Sequence, residues 1–133
     1  MPFDWKHYLD LARDLAQPSA SGQGQREAEL RSAISRAYYA AFCHARNYSR
    51  DWLNFQPTNT ADDHGRLKAH LKDGKRRGLA VKLDQLQHWR NAADYEDSWM
   101  ADLATVANTT ISETQRVLDL LPLPTNPSVR PSA

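Results

Sequence analysis

QREAELRSAISRAYYAAFCHARNYSRDW, residues 25 to 52, contains neither glycine nor proline. Leu30, Ile34, Ala37, Tyr38, Ala41, Ala45, Tyr48 and Trp52 recur at spacings of three and four, which draws one apolar stripe along a long helix. Alanines at 33, 37, 40, 41 and 45 favour that helix, and their small side chains let a neighbouring helix approach closely. The other face carries Arg36, Tyr39 and Arg46. This is the central helix, and the rest of the chain has to cover it.

Upstream, Asp4 reads as the N-cap of a helix from about Trp5 to Gln17, with Trp5, Tyr8, Leu11, Ala12 and Leu15 on one face and Pro18 ending it. Ser19 to Gly24 reads as a flexible connection. Downstream, a loop around Pro57 leads to a short helix capped by Asp62 or Asp63 and running to about Lys72. The basic turn Lys72 to Gly78 follows, then a helix from about Leu79 to Tyr95. Ser98 reads as the cap of a last helix, Trp99 to Leu121, facing inward through Leu103, Val106, Ala107, Thr110, Ile111, Thr114, Val117, Leu118 and Leu121. There is no alternating strand pattern, internal repeat or Gly-rich nucleotide loop. The fold class expected is all-α: an antiparallel up-and-down bundle of four long helices plus one short helix, over residues 1–121. Residues 122–133, with four of the seven prolines, read as a disordered or partner-bound tail.

Lys and Arg (17) nearly balance Asp and Glu (16), so overall charge names no partner, but its distribution is uneven. Arg66, Lys68, Lys72, Lys75, Arg76, Arg77 and Lys82 face one acid, Asp73, whereas Asp94 to Asp119 holds six acids and only Arg116. Such asymmetry either steers a polyanion, docks two copies head to tail, or simply solvates a face. Cys43 is the only cysteine, which excludes an internal disulfide and fits a reducing compartment. With no apolar run long enough for a bilayer and no apolar signal core at the N-terminus, the expectation is a cytoplasmic protein with no membrane partner. His7, His44, His64, His70 and His88 are dispersed without metal-ligand spacing, so no metal and no cofactor is expected. There is no Gly-x-Ser-x-Gly elbow.

One charge stands out. Leu79, Leu83, Leu86, Arg90 and Ala93 place Arg90 on the apolar stripe of its helix. A guanidinium there needs a carboxylate, a subunit contact or a phosphate, and Asp94 stands one turn on.

Two segments together carry a family likeness. Ser35-Arg-Ala-Tyr-Tyr-Ala-Ala-Phe-Cys-His-Ala45 and Arg90-Asn-Ala-Ala-Asp-Tyr95 resemble signatures of the HEPN superfamily of small helical proteins, and His64 between them matches a position where that branch carries histidine. The likeness spans roughly residues 28 to 118. It implies a four- to five-helix bundle that dimerises about a two-fold axis. Many such proteins are metal-independent ribonucleases in bacterial toxin–antitoxin or defence systems, often beside a nucleotidyltransferase partner. Their site pairs an Arg with a His four to six residues on; the Arg fork holds the scissile phosphate and the His moves the 2′-hydroxyl proton. Here those positions hold Asp94, Tyr95 and Glu96. Asp is a weak base at neutral pH and Tyr, with a reference pKa of about 10, stays protonated.

The resemblance therefore implies Arg90 on phosphate, Asn91 orienting it, Asp94 and Tyr95 in the variant catalytic positions, and Arg36, Tyr39 and His64 lining an RNA groove. Tyr39 and Tyr95 would stack bases in an RNA binder that does not cleave. The alternative is a non-enzymatic dimeric module that binds and regulates a nucleotidyltransferase or another defence effector. A structural hydrogen-bond network of the same residues stays open beside both.

Overall fold

The structure is a computed structural model and describes residues 2–123 of the chain. Among the described residues five helices account for the fold: α1 (Lys6–Ala16), α2 (Gln23–Trp52), α3 (Asp63–Asp73), α4 (Arg77–Tyr95) and α5 (Leu103–Leu120). No strand occurs among the described residues. The tail expected at 122–133 falls, from residue 124 on, outside the described residues.

Helix directions follow from a few contacts. Arg26 of α2 meets the carbonyls of Leu15 and Ala16 at the end of α1, while Arg46 lies over Trp5 at its start, so α1 runs antiparallel to α2. Arg31 reaches the carbonyls of Ala92, Ala93 and Glu96, and Tyr39 meets Arg90, so α4 is antiparallel as well. Thr114 of α5 bonds to the Ala37 carbonyl and His44 donates from Nε2 to that of Leu121, so α5 runs alongside α2 in the same direction. The bundle is the expected up-down-up-down one, with α3 as the extra helix, folded back on α4 as a hairpin.

The α2–α5 pair lies at the centre, each helix touching α1, α4 and the other. Ala33, Ala37, Ala40 and Ala41 are fully buried, as are Ala107, Thr110 and Thr114. No side chain there is larger than threonine. Thr114 Oγ1 therefore donates directly to the backbone carbonyl of Ala37, 3.1 Å away, which requires the two helix backbones to be close. Around this contact the core divides into one cluster with Tyr38, Phe42, Leu67, Leu83 and Val117 and another with Leu9, Ile34, Ala93 and Leu118.

Boundaries depart from expectation where hydrogen bonding overrides local signals. Asp102, not Ser98, caps α5, accepting from Thr105 N at 3.3 Å, so residues 99–101 precede the helix. α2 begins at Gln23, taking in Gly24 from the expected linker, because Arg26 caps the carbonyl end of α1 and draws the two helices together. On α1 the inward face centres on Leu9 and Ala12, and Leu11 is 44% exposed. Asp63 is buried and closes the α2–α3 loop, its carboxylate accepting from Thr58 N, Thr58 Oγ1, Asn59 N and Arg66. Burial would raise that carboxyl, but these four donors outweigh burial and hold it below the usual carboxylate range.

Ala37→Leu tests the central contact. The added volume has nowhere to go, so a loss of roughly 1–3 kcal/mol is expected. Chemical denaturation would show it as a lower midpoint at unchanged slope.

Candidate functional site

The two signature segments meet where α2 crosses α4. Ser35, Tyr39 and Phe42 lie four and three residues apart on one face of α2, and Arg90 and Asp94 lie one turn apart on α4. Ser35 Oγ donates to Asp94 Oδ2 at 3.2 Å, and Arg90 Nη2 donates to Tyr39 Oη at 2.5 Å. Within α4, Arg90 Nη1 donates to Asn91 Oδ1 at 2.9 Å, and Arg90 Nε faces Asp94 Oδ2 at 3.0 Å. That last contact is an ion pair without a well-aimed hydrogen bond, because the buried Nε–H does not point at the carboxylate oxygen.

Arg90 is only 15% exposed, so its charge depends on these partners. Its guanidinium lies 5.0 Å from the centre of the Tyr39 ring and 5.6 Å from that of Tyr95, which adds attraction from two aromatic faces. A guanidinium has five N–H groups. Nη1 and Nη2 each use one, on Asn91 and Tyr39, and each keeps a second without a partner among the described residues. Tyr95 is 73% exposed, so one wall of the arginine's seat is open to a ligand.

His64, at the start of α3, completes the cluster. Its ring stacks on Phe42 with centroids 4.0 Å apart and meets Tyr39 edge-on at 6.4 Å. Its Nδ1 is hydrogen-bonded to the Tyr38 hydroxyl, which leaves Nε2 as the nitrogen without an assigned partner. Burial, reinforced by the like charges of Arg90 and Lys68, pushes His64 below the ordinary histidine value, so the ring is neutral at pH 7. Burial also holds the Tyr38 phenol above the usual tyrosine range and keeps it protonated.

Of the seven residues singled out from sequence, six gather here: Arg90, Asn91, Asp94, Tyr95, Tyr39 and His64. Arg36 does not. Its guanidinium lies 5.2 Å from the Tyr8 ring on α1, because one step from Ser35 turns the side chain about 100° around α2. Ser35, Tyr38 and Phe42 also belong to the cluster: the sequence pattern places Tyr38 on the apolar stripe, and the spacing of Ser35, Tyr39 and Phe42 already puts those three on one face. Arg31 is a further addition: its Nη1 donates to the Glu96 carbonyl at 2.7 Å and the Ala93 carbonyl at 3.0 Å, fixing the turn that carries Asp94 and Tyr95. Among the described residues no group of three His, Cys, Asp or Glu side chains is placed to hold a metal ion, and no helix is long and apolar enough to cross a membrane.

Compared with family models, curated proteins and solved structures, the chain matches none.

The environment of His64 gives a direct check. In a histidine ring titration followed by NMR, His64 should titrate below the ordinary value of 6.5 and move upward in Arg90→Ala, since Arg90 is one of the charges opposing its protonation. Because the folded state resists taking this proton, His64 should also lower stability as pH falls through the ordinary histidine range. An unchanged His64 titration in Arg90→Ala would show that the two groups are not coupled.

Proposed function

We propose that the chain is a HEPN-type, RNA-directed component of a bacterial toxin–antitoxin or defence system that works as a homodimer, with Arg90 as its phosphate contact. The observation that carries this reading is the state of Arg90: shielded, fixed by Tyr39, Asn91 and Asp94, and still holding an unused N–H on each Nη. A preorganised fork of this kind suits a phosphate oxygen pair. The exposed Tyr95 ring beside it offers a surface on which a base can stack.

The signature lacks a histidine after Arg90, and Asp94 is a poor substitute because its carboxylate is engaged by both Arg90 and Ser35. His64 supplies the missing group from another helix. It is neutral at pH 7, and both it and Arg90 flank the Tyr39 ring. In the proposed reaction His64 is in the tautomer whose Nδ1–H donates to the Tyr38 hydroxyl, and its Nε2 accepts the proton of a ribose 2′-hydroxyl. That oxygen bonds to the adjacent phosphorus while Arg90 holds the charge on the phosphoryl oxygens. The bond to the 5′-oxygen breaks, and the leaving oxygen takes up a proton, giving a 2′,3′-cyclic phosphate and a 5′-hydroxyl end. No metal takes part in these steps.

A second reading has its own support. Arg90 meets Tyr39 and Asp94 meets Ser35 across the α2–α4 crossing, which also suits a brace in a non-enzymatic module that binds a nucleotidyltransferase or another effector.

Incubation of purified protein with mixed RNA in EDTA separates the readings. The ribonuclease reading predicts cleavage that falls roughly 100- to 1,000-fold in Arg90→Ala and 100- to 10,000-fold in His64→Ala. Binding without cleavage, lost in Arg90→Ala, would identify an RNA binder. Neither binding nor cleavage would leave the interaction module.

A further inference from the structure

The basic run from Arg66 to Lys82 is not used by the site around Arg90, and the fold divides it into two groups. Arg66 pairs with Asp63 at 2.7 Å, Lys68 with Asp84 at 2.8 Å, and Lys82 with Glu113 at 2.8 Å. Lys72, Lys75, Arg76 and Arg77 are different. They cluster where α3 turns into α4, and among the described residues their side chains form no ion pair and no hydrogen bond, although Asp73 lies in the same turn. Lys72, Lys75 and Arg77 are exposed.

This cluster lies on the same hairpin as the Arg90 site, at its opposite end. α3 and α4 form an antiparallel hairpin, and His64, Lys68 and Lys72 follow one another at intervals of four residues, a rise of about 6 Å per step. Lys68 also donates to Gln87 at 2.9 Å, which places this stripe on the side of α3 that faces α4. One turn beyond Gln87 stand Arg90 and Asn91. Between the two helices lies a 310 Å³ cleft whose floor is Gly65, Ala69 and Ala80 and whose rim carries Lys68, Lys72, Val81 and Asp84. Its small side chains leave room for a polymer backbone to lie along the hairpin. Asp84, the acid in that lining, is already held ionised by Lys68, with Lys72 adding to the effect.

We propose that the α3–α4 hairpin is a track for the backbone of single-stranded RNA, with one phosphate on Arg90 and further phosphates on Lys72 and Arg77 at the turn. This rests on the RNA-directed reading of the Arg90 site and extends it to the path of the bound strand. A chain of phosphates carrying bases fits the arrangement, because unpaired cations at the turn stand at one end of the hairpin and Arg90, with the exposed Tyr95 ring beside it, at the other. An acidic peptide would use the cations and leave that ring idle.

The test is fluorescence-anisotropy binding of a labelled oligouridine of about 12 nucleotides to the full chain, to Lys72→Gln/Arg77→Gln and to Arg90→Ala, over a range of salt. Both substituted cations are exposed, so thermal melting of the double variant should match that of the wild type. Loss of two phosphate contacts should weaken binding roughly 25-fold at about 0.1 M salt and lower the slope of log K against log salt by about 1.4. An unchanged affinity and slope in the double variant, with binding still lost in Arg90→Ala, would overturn the track and leave the RNA reading intact. Wild-type protein that binds no RNA would remove that reading, and the track with it. Wild-type protein that ignores RNA but binds polyglutamate through Lys72 and Arg77 would assign the turn to an acidic protein partner and overturn the proposal.

Discussion

Everything in this bundle is placed by the close approach of α2 and α5. Alanines on one helix and Ala107, Thr110 and Thr114 on the other let the backbones come near enough for a threonine hydroxyl to bond the carbonyl of Ala37. With that diagonal closed, α1 and α4 fit on either side of the pair. The face of α2 bearing Ser35, Tyr39 and Phe42 is then presented to α4 and α3. A larger residue in the seam would move α4 outward and separate Arg90 from Tyr39.

Two arginines on the first half of α2 set the ends of its antiparallel neighbours. Arg26 takes the last carbonyls of α1, and Arg31 takes those of α4, so charge-assisted bonds satisfy groups that a helix end otherwise leaves open. Arg31 matters more for the site, because the turn it fixes is the one that carries Asp94 and Tyr95. Arg90 is thus positioned from below by its own helix, from across by α2, and at its C-terminal side by a capped turn. This rigidity suits a phosphate clamp and a structural brace alike, and only the unused N–H groups and the open Tyr95 ring point toward a ligand.

Much of this was legible in the sequence. The stripe from Leu30 to Trp52 identified the central helix, the stripe through Leu79, Leu83 and Leu86 exposed Arg90 as an oddity, and Asp94 was readable as its partner one turn on. Such relations are local, and helical periodicity reports them directly. What could not be read were relations between segments. Ser35 and Asp94 are 59 positions apart, and nothing in either neighbourhood announces the other. Ser98 and Asp102 are both good cap residues, and the choice of Asp102 leaves a seven-residue bend whose first carbonyl is held by Arg31. Arg36 was read onto the same helix face as Tyr39, three residues on, but α1 packs against one side of that face and α4 against the other, so Arg36 lies over Tyr8 while Tyr39 meets Arg90. His64 entered through resemblance, while its neutral state depends on burial against Phe42 and on Arg90, which only the packed structure supplies.

In the proposed function Arg90, held at the α2–α4 crossing, offers its remaining N–H groups to a phosphate. NMR of the protein labelled with ¹⁵N-arginine reads those groups directly as oligouridine is added. The Arg90 Nη signals are expected to shift with saturable dependence on RNA while those of Arg36, on the α1 side, stay in place. Arg90 Nη signals that remain fixed while RNA binds would contradict that role and leave Arg90 as a brace between two helices.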